Sequence, residues 1–236
     1  MSAVIGVSDV AAAAVAGGAS ARTQVRLAGF GGQGIVLAGM ILGKAIALFE
    51  GANAVMTQSY GPEARGGACS ADVVASRGRI NYPRVVAPDV LVLMSEEAAR
   101  TYGPHTAEEA LVLVNENLVR SVPAREGLSV LRVPATGIAE GLGRVIVANI
   151  VMLGFIAAVA GVVGLEAMKN AVLDSIPQGS EELNLKALQA GYDHGTALLT
   201  GAAAPTRAGA AKGAVASTGT AKPLGAATPR QGKGTR

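Results

Sequence analysis

The sequence predicts an α/β domain with a mostly parallel sheet flanked by helices and a helical C-terminal part. Three observations carry this reading. Strand-like and helix-like segments alternate between residues 23 and 200. PDVLVLM (88–94) holds an unbroken apolar run, the pattern of a strand covered on both faces of a parallel sheet. Half of the residues are hydrophobic, yet aromatics make up only 3% and Trp is absent. Ala, Val, Leu, Ile and Gly must do the packing, which suits close helix-on-sheet contact better than an aromatic-rich sandwich.

The elements follow in order. QVRLAGF (24–30) reads as a strand and QGIVLAGMILGKAIALFEG (33–51) as a helix stopped at Gly51. NAVMTQ (53–58) is a second strand. SYGPEARGG (59–67) is a loop, marked by Gly-Pro and Gly-Gly. ACSADVVAS (68–76) is a third strand, turned by RGR into a short INY strand (80–82), an expected antiparallel addition. After PDVLVLM, Ser95 is the expected N-cap of a helix with acids in its first turn. LVLVNEN (111–117) and LSVLRVP (128–134) are further strands. Helices then occupy 136–161, 165–176 and 180–199.

The two ends read differently. Residues 1–22 form an expected flexible extension. A flexible extension is expected over an export signal, because the segment lacks a basic start and Asp9 interrupts its apolar run. Residues 201–236 are Ala/Gly/Pro-rich, hold six basic residues and no acid, and are expected to be a disordered tail. Residues 1–200 hold all seventeen acids against fourteen basic residues. The basic balance of the whole chain therefore belongs to the tail, and nucleic-acid binding by the domain is not supported. The uncharged stretch 145–164 has the length of a membrane span. Asn149, the stops at Gly161 and Gly164 and the amphipathic helix that follows argue instead for a helix buried in the core or in a subunit interface. The single cysteine, Cys69, allows no internal disulfide and cannot hold a zinc or an iron–sulfur cluster alone, so a reducing, cytoplasmic setting is expected.

Two loops could carry function. Gly29, Gly31 and Gly34 fit G-x-G-x-x-G between a strand and a helix, a Rossmann-like turn whose backbone can approach a phosphate at a helix N-terminus. A dinucleotide site also needs an acid at the end of the next strand. That strand ends in Thr57-Gln58, and Glu50 lies before it, so NAD is not supported. An anion-binding turn and plain tight packing both fit the motif. The second loop places Glu63 and Arg65 between Gly61-Pro62 and Gly66-Gly67, at the carboxyl edge beside the glycine turn. His105, His194 and Cys69 make no catalytic set, and Cys69 reads as a small packed residue. An α/β domain with a binding edge and no self-sufficient active site looks like part of a larger enzyme.

GFGGQGIVLAGMILGKA (29–45), TQSYGPEARGGACSADV (57–73), YPRV-x-x-PDVLV (82–92), ANIVMLG (148–154) and ELNLKALQAGY (182–192) resemble the gamma subunit of 2-oxoacid:ferredoxin oxidoreductases. The resemblance spans about residues 25–199. The QSYGPEARGG loop favours the 2-oxoglutarate:ferredoxin oxidoreductase type; a branched-chain or other 2-oxoacid is the alternative, and a stand-alone nucleotide-binding module is a third reading. The resemblance implies a complex that decarboxylates 2-oxoglutarate with coenzyme A to succinyl-CoA and CO2 while reducing ferredoxin. It implies alpha and beta partner subunits, with a ferredoxin-like delta subunit in some complexes. Thiamine diphosphate with Mg2+ and the 4Fe-4S clusters would sit on those partners, with no catalytic residue and no metal on this chain. It further implies that Gly31, Gly32, Gln33 and Gly34 face a shared cleft. Arg65, Gly66 and Gly67 are the candidate contacts for CoA or substrate, Glu63 orients Arg65, and Asn149 is an interface residue.

Overall fold

The computed structural model describes residues 22–60, 67–122, 125 and 127–201. The expected extension and tail, and Glu63, Arg65 and Gly66 of the second loop, lie outside the described residues, except for Arg22 and Gly201 at the borders. Six strands form one sheet: β1 (Thr23–Phe30), β2 (Asn53–Tyr60), β3 (Ala68–Ser76), β4 (Val90–Leu93), β5 (Leu111–Asn115) and β6 (Ser129–Val133). Their spatial order is β2-β3-β1-β4-β5-β6. The β1–β4, β4–β5 and β5–β6 pairings are parallel, while β3 runs antiparallel to both of its neighbours. The sheet is thus mostly parallel, as expected, but its antiparallel member is not the expected one. Residues 80–82 form no strand. The third strand itself is inserted in reverse between β1 and β2, because a short connection after β2 can only send the chain back alongside it.

The helices divide unequally between the two faces. α1 (Ile35–Lys44, continued by a π-helical turn Ala45–Phe49), α3 (Ala135–Gly141), α4 (Ala148–Val159), α5 (Leu165–Leu173) and α6 (Glu181–Leu199) share one core with Val25, Leu27, Ala71, Val73, Val92 and Leu113. On the other face α2 (Glu96–Tyr102) covers Ala28, Leu91, Leu93, Val112 and Val114 through Ala98 and Ala99. Ser95 caps α2 as expected, accepting the Ala98 N–H at 3.2 Å.

The uncharged stretch 145–164 breaks into a 3-10 turn (Val145–Val147), α4 and a stop at Gly161, where φ is +62°. Ten of the twelve α4 residues are buried, so it is a core helix. Among the described residues no helix is long and apolar enough to cross a membrane. α4 lies almost backbone to backbone on α6. A methyl group at Gly154 would collide with the Leu188 carbonyl oxygen, and one at Gly191 with that of Val151. One turn on, a methyl at Gly195 would come within 2.6 Å of the Ala158 Cβ. Such contact needs residues without side chains, and it brings the two backbones into dispersion range along their length.

One buried ion pair crosses the sheet. Arg26 and Asp72 face each other in register on β1 and β3. The guanidinium donates from Nε to Oδ1 at 2.7 Å and from NH2 to Oδ2 at 2.6 Å, and also to the Val85 carbonyl at 2.9 Å. It stacks 5.3 Å from the centre of the Tyr102 ring. Its hydrogen bonds to Asp72 hold it above the ordinary arginine range. Breaking such a pair from one side leaves a buried charge without a partner, the destabilising case.

Gly191→Ala is expected to destabilise the chain by about 1–3 kcal/mol or more, because two backbones must separate to admit the methyl. Gly141→Ala, where an added Cβ meets nothing within 4 Å, is the control and is expected to be neutral or stabilising. Thermal melting followed by circular dichroism compares the two; equal melting temperatures would contradict the packing argument.

Candidate functional site

The glycine turn joins β1 to α1 at the carboxyl edge of the sheet. Gly32 and Gly34 have φ of +97° and +71°, a region that favours glycine. Gln33 ties the turn down with its own side chain. Its Oε1 accepts the Phe30 N–H at 2.9 Å, and its Nε2 donates to the Met94 carbonyl at the end of β4, also at 2.9 Å. A methyl at Gly29 would strike Gln33 Oε1 and sit 2.7 Å from Ile35 Cδ1, so Gly29 makes room for this fold-back. The Gly34 carbonyl accepts from Ala38 N–H at 2.9 Å and from Asn149 Nδ2 at 3.2 Å. Among the described residues no side chain caps α1, so its first-turn amides and the exposed backbone of Gly31 and Gly32 form a polar surface suited to an anion or a closely approaching backbone.

The sheet register fixes what stands beside this turn. Tyr60, Cys69 and Gly29 form one row across β2, β3 and β1. The second loop therefore leaves the sheet at the same edge, two strands or about 10 Å from the glycine turn. Gly67 is half-buried at the return of that loop. Exposed Phe30 and Tyr60 stand at this edge, and exposed Val145 and Ile146 lie just before α4, whose first turn carries Asn149. The edge thus combines bare backbone with an apolar rim.

Of the expected site residues, the structure brings Gly31, Gly32, Gln33 and Gly34 together with Asn149. Gly67 stands across the edge. Asn149 is buried within the chain against the turn, rather than lying on an outward face. Gln33 faces inward as a tie, leaving Gly31 and Gly32 as the exposed part. On the β2 side the strand beside β1 is β3, which begins at this edge with Ala68 and Cys69, so among the described residues no strand-end acid stands there where a dinucleotide ribose would need one. Glu50 lies at the far end of α1 and accepts the Gly164 N–H at 2.6 Å, at the start of α5. His105 is exposed, and His194 lies 5.9 Å from the Phe155 ring. Burial pushes the Cys69 thiol up, which disfavours the reactive thiolate. Among the described residues no three His, Cys, Asp or Glu side chains cluster to hold a metal ion. A cavity of about 360 Å3 beside Glu108, Glu109, Arg125 and Gly127 opens at the opposite, amino edge of the sheet.

Sequence reasoning missed the Gln33 tie and the Arg26–Asp72 pair. The second had a readable signal, since each strand carries one charge amid apolar neighbours and a charge there must find a partner. The tie from Gln33 to Met94 spans sixty-one positions and had none. Asn115, the last residue of β5, donates to the Thr136 hydroxyl just after β6 at 2.8 Å, and this pair was likewise unmarked.

The fold and the edge define a class: an α/β domain with an exposed glycine turn at the carboxyl edge of its sheet. Comparison with known proteins narrows this. The family described as pyruvate ferredoxin/flavodoxin oxidoreductase matches residues 24–194. The 2-oxoglutarate synthase subunit KorC of Methanocaldococcus jannaschii is 48% identical over 174 residues, covering 73% of this chain and 93% of its own. The ketoisovalerate oxidoreductase subunit VorA of Methanothermobacter marburgensis is 36% identical over 174 residues, 72% of this chain and 36% of its own length. The crystal structure of a keto/oxoacid ferredoxin oxidoreductase gamma subunit from Geobacter sulfurreducens superposes with a TM-score of 0.67 at 38% identity, covering 74% of this chain and 99% of that one. The chain belongs to the pyruvate ferredoxin/flavodoxin oxidoreductase family. It is a gamma subunit of a 2-oxoacid:ferredoxin oxidoreductase, an enzyme that needs partner subunits.

Gly34→Ala is expected to lower stability through both its positive φ and the collision of the new methyl with Asn149 Nδ2. Asn149→Ala is expected to cost about 0.5–1.5 kcal/mol by removing its hydrogen bond to the Gly34 carbonyl, which keeps the one from Ala38. In the double variant the collision is relieved, so the two costs should fall short of additivity by about 0.5–3 kcal/mol. A double-mutant cycle in urea measures this; strict additivity would deny the contact.

Proposed function

We propose that this chain serves a 2-oxoglutarate:ferredoxin oxidoreductase that converts 2-oxoglutarate and coenzyme A to succinyl-CoA and CO2 while reducing ferredoxin. The observation that supports it best is the row Tyr60–Cys69–Gly29, which brings the ends of the glycine turn and the second loop to one edge. Together with the likeness to a 2-oxoglutarate synthase subunit, this favours one wall of a cleft shared with partner chains. In this reading Gly31 and Gly32 offer backbone to the ligand, and Gln33 and Asn149 hold the turn in shape. Arg65, steadied by Glu63 between Gly61-Pro62 and Gly66-Gly67, meets a CoA phosphate or the substrate carboxylate, since a guanidinium suits both.

The residues of this chain do not fit the redox cofactors. One cysteine cannot supply the four thiolates of a 4Fe-4S cluster. In this proposal thiamine diphosphate with Mg2+ and the clusters belong to alpha, beta and, where present, delta subunits, and the assembly works in the cytoplasm. This chain supplies surface, shape and anion contacts within its 23–200 domain, flanked by an extension (1–22) and a basic tail (201–236). The likeness to a ketoisovalerate oxidoreductase subunit keeps a branched-chain 2-oxoacid as the second reading.

The native complex, assayed for CoA-dependent viologen reduction with a panel of 2-oxoacids, is expected to turn over 2-oxoglutarate best; preference for a branched-chain acid would select the second reading. Arg65→Ala is expected to raise the apparent KM for CoA or for the oxoacid roughly ten- to a hundredfold, the loss of one charge-assisted contact. Unchanged values for both would remove Arg65 from the cleft. Deletion of residues 201–236 is expected to leave assembly and turnover intact, and loss of the complex on truncation would refute that.

A further inference from the structure

We propose that β2 and the outer side of α1 form a contact with a second copy of this chain, through which two sheets join edge to edge. β2 closes the sheet and, among the described residues, pairs only with β3. All eight of its residues stand in register without a bulge, and NAVMTQSY contains no charge, no Pro and no Gly. Charges, prolines and bulges are the devices that keep sheet edges from pairing. The opposite edge differs. β6 has five residues and carries Arg132, whose guanidinium donates to the Val119 carbonyl at 3.1 Å. β2 is the unguarded edge, with a row of backbone donors and acceptors turned away from β3.

The helix above β2 supplies an independent observation. Val36, Met40, Gly43 and Ala47 recur at i, i+4, i+7 and i+11 and share one stripe of α1 and its π-helical extension. Most of the remaining circumference is engaged, with Leu48 and Phe49 of the π-helical turn exposed beyond it. Gly39 rests on the sheet, where a Cβ would come within 2.5 Å of Ala71 Cβ and 3.3 Å of Met56 Cε. Ala38, Leu42 and Ala45 are buried in the core. Lys44, on the side away from the sheet, bonds Asp174 of α5 at 2.8 Å. The stripe occupies the remaining side, above β2. It carries no charge, Met40 is 39% exposed, and an added Cβ at Gly43 would meet nothing within 4 Å. A helix face turned to water is normally polar.

Self-complementarity identifies the occupant. About a twofold axis through Met56, β2 pairs antiparallel with its copy so that Val55 faces Thr57 and Ala54 faces Gln58, with pleats matched. No like charges oppose one another in this register. The same axis sets one α1 stripe against the other, as an isologous contact requires. A partner with charged groups at this place would bury them against a neutral edge. The contact lies along the side of the sheet and is independent of the reading given to the glycine turn.

Light scattering of the full-length chain over a dilution series tests this. The expected mass is twice the 23.4 kDa of one chain, falling to one chain on dilution. Exposed Asn53 and Ser59 face each other about the same axis, so Asn53→Lys/Ser59→Lys and Asn53→Glu/Ser59→Glu are each expected to lose the doubled mass alone and to recover it when mixed in equal amounts, because opposite charges then face across the seam. Met40→Glu, on the helix, is expected to lose it as well. An unchanged circular dichroism melt verifies that each variant is folded. A wild-type chain that stays single at about 100 μM, where even a micromolar contact would form, overturns the proposal. Doubled mass persisting in all three variants also overturns it. Protection of β2 amides from hydrogen exchange only after alpha and beta subunits are added would assign the edge to those chains and overturn it too.

Discussion

Helix α4 is enclosed on every side, and much of the molecule is arranged to make that possible. Its twelve residues carry no charge, so its backbone satisfies itself and its side chains gain by leaving water. Enclosure requires α6 to approach until the two backbones touch, which is why Gly154 and Gly191 have no room for a side chain. The one amide in the helix, Asn149, stands in its first turn and reaches the Gly34 carbonyl. The position of the glycine turn is therefore inherited from the core. An error in seating α4 would be transmitted to the turn through a single hydrogen bond.

The reversed strand β3 is the second organising feature. It separates β1 from β2 and removes the parallel neighbour whose tip would hold a ribose-binding acid in a dinucleotide site. In exchange it returns the second loop to the edge where the glycine turn sits. The Arg26–Asp72 pair joins β3 to β1 on the face opposite α4. There the loop before β4 and Tyr102 complete the coordination of the guanidinium.

The parallel strands were legible because their apolar runs and the Ser95 cap are local signals. ACSADVVAS was read as a strand with its observed ends, but its direction was not readable, since direction is set by pairing partners distant in sequence. INY was misread as a strand because RGR resembles a hairpin turn; the following chain instead supplies the carbonyls of Tyr82 and Arg84 to Arg22 and of Val85 to Arg26. At the candidate site the glycines were visible as a motif. The work done by Gln33 and Asn149 was not, because an amide side chain can bond to any backbone within reach and only the fold decides which.

Gln33 uses both ends of its amide on backbone groups, one at the end of β1 and one at the end of β4. The loop it closes consequently has little conformational freedom left to lose when a ligand or a neighbouring chain settles on it. In the proposed cleft, recognition at such a surface would depend on contour more than on adjustment, because the entropic penalty of ordering the turn is met once, during folding.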